Sequence, residues 1–554
     1  MLLDNIAAAS AEVFDLANLL LMAVGVTGGL IAGAIPGFTI TMAVVLTLPF
    51  TFGMEPVQGL MTMIGVFVGG LSGGLMSGML TGIPGTPSSV ATTFDGFPMS
   101  RQGRPGLALG IGVCSSFGGG MISAFILMTL APQLARLGLE FGPWDYFALI
   151  MFALTITASL AGQDLVKGLI AGGLGLLVAT IGEDDINGVA RFNFGIDEVR
   201  QGFGFLPVLI GLFAFSQLLS DIQDPLKARQ PLMPKGTKAV KVQFRQATVE
   251  ILKRWPTLVR SSLIGVFTGI LPGAGGSVAN ILAYDQAKKA SKTPEKFGSG
   301  EIEGIIAPES SNNAVEGGAL ITMMALGIPG DVTTAVLLGA LLIHDVVPSP
   351  SFITEEPVLA YSIFIGFFLA HFMMVALQTV CLRIFILVTR VPMYTLAAVI
   401  FGFCAIGAFA LNNVTFDLWA VFIFGVVGYT MRVLGFPLAP MILGVVLGTH
   451  AEVNLSRALA ISDDLSLFVT RPWSLFFFTI AGFSAIFPWY QAVRGRAQWT
   501  VFYFPVCCMA VSGPLMAMGG VVRPLLGGGL LVLGGWMLWR RTRPGWTPPG
   551  DEAR

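Results

Sequence analysis

Long apolar runs with no charged residue recur along the chain, at 16–35, 107–130, 146–162 and 473–490. Each holds about seventeen residues or more, enough for a helix to cross a hydrocarbon core of roughly 30 Å. The pattern predicts an all-α polytopic membrane protein. Composition agrees. Of 554 residues, 54% are hydrophobic and only 11% charged, against about 25% charged in ordinary soluble domains.

The runs are interrupted where helix breakers should be unwelcome. "TGIPGTPSSVA" at 81–91 carries two prolines, two glycines and four hydroxyls, those of Thr81, Thr86, Ser88 and Ser89. "LGIPGDVTTAV" at 326–336 repeats it, Gly82-Ile83-Pro84-Gly85 matching Gly327-Ile328-Pro329-Gly330. A second pair precedes these: "GGLIAGAIPG" at 28–37 and "IGVFTGILPG" at 264–273 share G-x-x-x-G-x-x-P-G through Gly29, Gly33, Pro36, Gly37 and Gly265, Gly269, Pro272, Gly273. With 70 Gly and 32 Pro, chance supplies such a nine-residue match about 0.06 times, so an internal duplication is favoured.

Loop charge gives the relative orientation of the copies, since Lys and Arg prefer the cytoplasm. The segment before the first PG motif is acidic, whereas 221–255 is basic. "TFGMEP" stands opposite "DQAKKASKTPEK", and "SRQGRPG" opposite "HDVVPSPSFITEEP". All three paired loops differ in charge character, which predicts two inverted-topology repeats with broken or re-entrant helices at the Pro-Gly motifs. The division is 1–220 for the first half, 221–256 for a basic cytoplasmic linker and 257–490 for the second half. Residues 491–554 hold two extra spans and a tail. The N-terminus is expected outside, the 221–255 loop and "WRRTRPGW" inside. Residues 257–287 are expected to form either two short crossings or, as preferred, a hairpin with Pro272-Gly273 at its tip. The N-terminal "MLLDNIAAASAEVFD" has no Lys or Arg, so no cleaved signal is expected.

A helix break frees backbone N–H and C=O groups that hydrocarbon cannot satisfy, so it survives only beside protein, water or a ligand. Half-helix N-termini offer N–H groups and partial positive charge to an anion, and hydroxyl oxygens suit a cation. The two IPG breaks are therefore expected to make one polar site near the midplane. The substrate candidates are Gly85, Thr86, Ser88, Ser89, Gly275, Gly276, Ser277, Asn312, Asn313, Gly330 and Thr333. The Na⁺ candidates are Thr81, Glu309, Ser310, Asp331 and Thr334. Pro36, Gly37, Pro84, Pro272, Gly273 and Pro329 are the structural breaks. A proline kink bonded only to its own turn is the alternative.

Glu309 and Glu316, in "PESSNNAVEGG", either sit inside the membrane with partners or lie in a solvated interfacial loop. Gly65, Gly69 and Gly73, with Gly70, Gly74, Gly78 and Gly82, make a smooth face for close helix packing. The five cysteines have no metal-type spacing, and three histidines leave little for histidine chemistry. His344-Asp345 reads as an interfacial turn. A net charge of −1 suggests no nucleic-acid partner.

"GIPGTPSSVATTFDGFPMSRQGRPGLALG", "LPGAGGSVANILAYDQAKKASKTPEKFGSGEIEGIIAPESSNNAVEGGALI" and "ALGIPGDVTTAVLLGAL" closely resemble the large membrane subunit of tripartite tricarboxylate transporters, over about 15–490. The resemblance implies a bacterial inner-membrane permease of about twelve spans, so about 12 or more here. It also implies a small four-span membrane subunit and a periplasmic solute-binding protein as partners. The implied activity is import of carboxylates such as citrate, coupled to a cation gradient, often Na⁺ with H⁺ open, and without a cofactor. The signature positions carried over are Gly82, Pro84, Gly85, Pro272, Gly273, Gly275, Gly276, Tyr284, Glu309, Asn312, Asn313, Gly327, Pro329 and Gly330. Apolar segments at 502–519 and 525–539 depart from the family pattern. The rival readings are an integral-membrane enzyme acting on a lipid-type substrate, for which no compact acid/base or metal cluster is visible, and a passive anion channel.

Overall fold

The computed structural model describes residues 2–35, 38–160, 164–184, 186, 188–222, 240–388, 393–494 and 497–542. Pro36 and Gly37, expected as a helix break, lie outside the described residues, as do 223–239 of the basic loop and the tail after Thr542. Among the described residues, nine helices are long and apolar enough to cross a membrane, and six shorter apolar helices accompany them. One small antiparallel ladder, β1 (Gly182–Glu183) with β2 (Ala190–Arg191), pairs Gly182 with Arg191. The protein is an all-α polytopic membrane protein.

The chain forms two compact units, Met1–Leu139 with Phe203–Leu434, and Glu140–Gly202 with Gly435–Arg554. The first unit carries both IPG motifs and both of the G-x-x-x-G-x-x-P-G motifs that precede them. Ten of its described helices, those around the motifs, fall into two runs of five. The first run is α1 (Leu16–Ala34), α2 (Ile40–Thr51), α3 (Pro56–Thr81), α4 (Val90–Arg101) and α5 (Pro105–Gly138). The second is α6 (Trp255–Ile270), α7 (Gly275–Ala290), α8 (Glu303–Leu326), α9 (Val332–Ile343) and α10 (Pro357–Val388).

Glycines set the closest packing in both runs. A Cβ on Gly29 or Gly33 of α1 would stand 2.3 or 2.0 Å from the carbonyl oxygen of Val66 or Gly70 on α3. A Cβ on Gly265 or Gly269 of α6 would stand 2.3 Å from that of Ser311 or Val315 on α8. Val66 and Gly70 precede Gly82 by the same intervals as Ser311 and Val315 precede Gly327. The two helix pairs thus share one register, which a duplicated unit would keep and unrelated Gly-rich helices would not.

α6 and α7 form the expected hairpin, with Gly273 at φ 81° in the turn. Each has 16 residues, about 24 Å at 1.5 Å per residue and short of the roughly 30 Å core. Residues 303–326 are one continuous helix in which Glu309 and Glu316 are both 0% exposed, so the interfacial-loop alternative is set aside.

The second unit is held by different chemistry. Buried Asp145 accepts from Arg471 Nη2 at 2.9 Å and Ser474 Oγ at 2.6 Å, and caps the Gly142 N–H at 2.9 Å. Glu140 receives both terminal nitrogens of Arg523, at 2.6 and 2.7 Å. That guanidinium holds the Glu140 carboxyl below the usual carboxylate range. The helices at Tyr503–Ala517 and Val522–Thr542, corresponding to the C-terminal apolar segments, pack on each other.

Candidate functional site

Both IPG breaks are built alike. α3 ends at Gly82, φ 78°, and α8 at Gly327, φ 71°. Glycine takes this left-handed conformation without Cβ strain and caps the helix, here through Gly82 N–H to Gly78 O and Gly327 N–H to Met323 O, both 3.0 Å. After each proline the chain restarts with a capping box. Thr86 and Ser89 form it before α4, around the short turn Pro87–Ser89. Asp331 and Thr334 form it before α9, Asp331 Oδ1 accepting from Thr334 N at 2.7 Å. The chain therefore resumes as a helix whose first N–H groups are only partly satisfied.

The breaks meet through the second Pro-Gly turn. Gly273 N–H donates to Gly330 O at 2.9 Å, and a Cβ on Gly275 would lie 3.7 Å from Asp331 Cβ. On its other side, a Cβ on Gly276 would lie 2.8 Å from both Ser88 Cβ and Asn312 Oδ1. A further link joins α2 to α9: Thr41 Oγ1, in the first turn of α2, is 2.9 Å from Thr333 Oγ1. By alignment of the motifs Thr41 corresponds to Ser277 and Thr333 to Ser88, but the approach to Ser88 is made by Gly276, the neighbour of Ser277. The starts of α2, α4, α7 and α9 thus surround one region.

Asn312 closes it from α8. Its Nδ2 donates to Leu71 O at 3.3 Å, while Oδ1 is buried beside Gly276 without a partner. A buried amide oxygen left unpaired costs about 1–3 kcal/mol unless a ligand or water satisfies it. Asn313 is engaged instead. Its Oδ1 accepts from Ser72 Oγ at 2.8 Å and its Nδ2 donates to Glu309 O at 3.4 Å.

The remaining candidates divide. Thr86 Oγ1, Ser88 Oγ and Ser89 Oγ form one cluster, at 3.1 Å for Thr86–Ser88 and 3.3 Å for Thr86–Ser89. Ser277 is exposed in the first turn of α7. Gly85 and Gly330 are packing positions. Their Cβ atoms would fall 2.2 and 2.1 Å from the carbonyl oxygens of Gly33 and Gly269. The cation candidates do not share one pocket. Asp331 and Thr334 stand together in their capping box. Thr81 Oγ1 donates to Ser77 O at 2.7 Å and Ser310 Oγ to Ile306 O at 2.8 Å, each within its own helix. Glu309 lies between α4 and α5, where Thr92 Oγ1 donates to Oε1 at 2.6 Å and Ser116 Oγ to Oε2 at 2.7 Å. Among the described residues, no group of three or more His, Cys, Asp or Glu could hold a metal.

Several polar residues here were missed by sequence reasoning. Asn280 Oδ1 accepts the Ala91 N–H at 2.8 Å, which ties α7 to the start of α4. Gln378 Nε2 donates to Ser72 O at 3.1 Å, and His371 faces Glu316. Lone polar residues inside apolar helices such as α5 and α10 were the available signal. Tyr284, a signature position, donates its hydroxyl to Asp95 Oδ2 at 2.9 Å.

The family model for the tripartite tricarboxylate transporter TctA family matches residues 19–443. An uncharacterized 52.8 kDa protein in the TAR-I ttuC' 3' region of Agrobacterium vitis is 33% identical over 478 residues, covering 85% of this chain and 93% of the relative. A second Agrobacterium vitis protein, in the TAR-II ttuC' 3' region, is 35% identical over 209 residues, or 38% of this chain and 86% of the relative. No solved structure matches this chain.

Proposed function

Because the chain belongs to the tripartite tricarboxylate transporter TctA family, a transporter family and not an enzyme family, we propose that it carries small organic carboxylates by alternating access. It works with a small four-span membrane subunit and a periplasmic solute-binding protein in a bacterial inner membrane, its N-terminus periplasmic and its basic 221–255 loop cytoplasmic. A tricarboxylate of the citrate type or a dicarboxylate is the substrate, and Na⁺ is the coupling ion.

One observation carries this reading: the starts of α2, α4, α7 and α9 are joined by close contacts, and the α7 start lies against the unpaired Oδ1 of Asn312. Helix N-termini present N–H groups and roughly half a positive charge each, so a polyanion can be held in a dry region without buried Lys or Arg. Ser88 and Thr333 hydroxyls add donors, while Asn312 can turn its amide to donate to a carboxylate. Asp331 and Thr334 offer oxygen to the cation at the same break. On this reading a pseudo-two-fold relates two inverted repeats, which lets one site face either side in turn.

The test is uptake of radiolabelled citrate by proteoliposomes holding the full complex, with and without an imposed Na⁺ gradient. Asn312→Ala and Ser88→Ala are expected to lower both uptake and counterflow about ten-fold or more, equivalent to about 1.4 kcal/mol, with membrane insertion intact. Unchanged counterflow in both variants would remove the site. Uptake indifferent to the Na⁺ gradient and to the binding protein would favour the passive channel.

A further inference from the structure

Glu316 of α8 and His371 of α10 are both 0% exposed, and His371 Nε2 lies 3.4 Å from Glu316 Oε2. Neither residue contributes to the substrate region. His371 Nδ1 is 2.9 Å from Phe367 O, and a carbonyl only accepts, so Nδ1 carries a hydrogen. If Nε2 carried none and Glu316 were ionised, a nitrogen lone pair would face a carboxylate across 3.4 Å. One proton removes that conflict, whichever of the two atoms holds it. Both oxygens of Glu316 are otherwise unpartnered, and an uncompensated charge at membrane depth costs several kcal/mol.

The pocket is shaped to the histidine. A Cβ on Gly120 of α5 would fall 2.0 Å from the ring, so the imidazole rests on bare α5 backbone. Phe367 stacks edge-on at 4.7 Å between centroids. The pair is also linked to the substrate region, because Glu316 follows Asn312 by one helical turn, about 6 Å along α8. Few other ionisable groups bear on it. Asp331, at the start of α9, acts on the Glu316 carboxyl. Glu309, two turns back along α8, is engaged by Thr92 and Ser116, and Asp95 of α4 by Tyr284 and backbone N–H groups. α1, α2 and α3 have no ionisable side chain. α5 carries Cys114 and Arg136, α6 Arg260, and α7 Tyr284, Asp285, Lys288 and Lys289. The N-terminal helix packed on α10 carries Asp4 and Glu12.

We propose that Glu316 and His371 form a proton-binding site that loads and releases one proton per transport cycle, alongside Na⁺. On loading, an O–H or N–H bond forms with a proton from water on the outward side. On release that bond breaks to water on the inward side, with no change of oxidation state. The proposal rests on the transport reading and deepens it by naming a second coupling ion.

The experiment uses proteoliposomes with the full complex, Na⁺ equal on both sides and an imposed pH gradient. Glu316→Gln and His371→Gln should each lower pH-driven citrate accumulation about ten-fold while citrate counterflow, which needs no net proton movement, stays within about two-fold of wild type. Loss of counterflow together with accumulation in both variants would make the pair structural and overturn the proposal. Undiminished accumulation would do the same. Absent counterflow in the wild type would instead count against the citrate-class reading, and a substrate-free measurement then decides the proton site. Infrared difference spectra between about pH 5 and 9 should show a protonated-carboxyl or imidazolium band in the wild type that disappears on alkalinisation, and this change should be missing from Glu316→Gln. Identical spectra from the two proteins would overturn the proposal.

Discussion

Gly85→Ala and Gly330→Ala are expected to destabilise the protein to a similar extent, by about 1–3 kcal/mol each or more. The added methyl at Gly330 would lie 2.1 Å from Gly269 O and 2.6 Å from Ala319 Cα; at Gly85 it would lie 2.2 Å from Gly33 O and 2.9 Å from Gly74 Cα. The single closest atom at each position is a backbone oxygen, which cannot swing aside as the end of a side chain can. Relief requires separating the IPG turn from the first helix of its repeat. That separation would also pull Gly330 O from Gly273 N–H, a 2.9 Å bond that joins the second break to the hairpin turn. Transport should therefore fall further than stability alone accounts for, because the α7 start moves relative to Asn312. Thermal unfolding of the purified chain in detergent, with Gly173→Ala as the control where nothing lies within 4 Å, measures the effect. If only one of the twin variants behaved differently from the control, the shared register of the repeats would lose its energetic meaning.

The breaks themselves were legible because their chemistry is local. A Gly-x-Pro-Gly stretch followed by Thr-x-x-Ser or Asp-x-x-Thr specifies a left-handed cap, a turn and a capping box within ten residues, with no help from the rest of the chain. The hairpin at Pro272-Gly273 was legible for the same reason. What the hydroxyls and carboxylates touch was not. Thr92 and Ser116, which satisfy Glu309, come from α4 and α5, far from it in sequence. His371 looked idle in an apolar run until α10 was laid against α8. Thr41, which meets Thr333, sits in an unremarked stretch of the first repeat. Side-chain pairing across helices is set by which glycines let two backbones approach, and apolar periodicity carries only half of that information. The compact units likewise draw chain from both sequence halves, because packing follows surface complementarity and the order of segments constrains it weakly.

Asp95→Ala should cost about 2–4 kcal/mol, whereas Asp95→Asn should cost under about 1 kcal/mol. Asp95 sits in α4, 0% exposed, and fastens the loop before α8. Its Oδ1 accepts the N–H groups of Gly298, Gly300 and Glu301 at 2.9, 2.8 and 2.7 Å, and its Oδ2 accepts the Tyr284 hydroxyl at 2.9 Å. Alanine strands three backbone donors and a phenol at once, and those groups have no second partner of the same geometry. Asparagine keeps an oxygen for the three N–H groups and offers its amide to the Tyr284 oxygen, which reverses one hydrogen bond without breaking the set. Gly304 belongs to the same lock, since a Cβ there would fall 2.0 Å from Oδ2, so Gly304→Ala should resemble Asp95→Ala. The lock joins α4, α7 and α8, which between them bring Ser88, Gly276 and Asn312 together. Its loss should therefore weaken substrate exchange along with thermal stability, and Asp95→Asn should rescue both. Equal unfolding temperatures for the alanine and asparagine variants would show that the loop is held by packing alone.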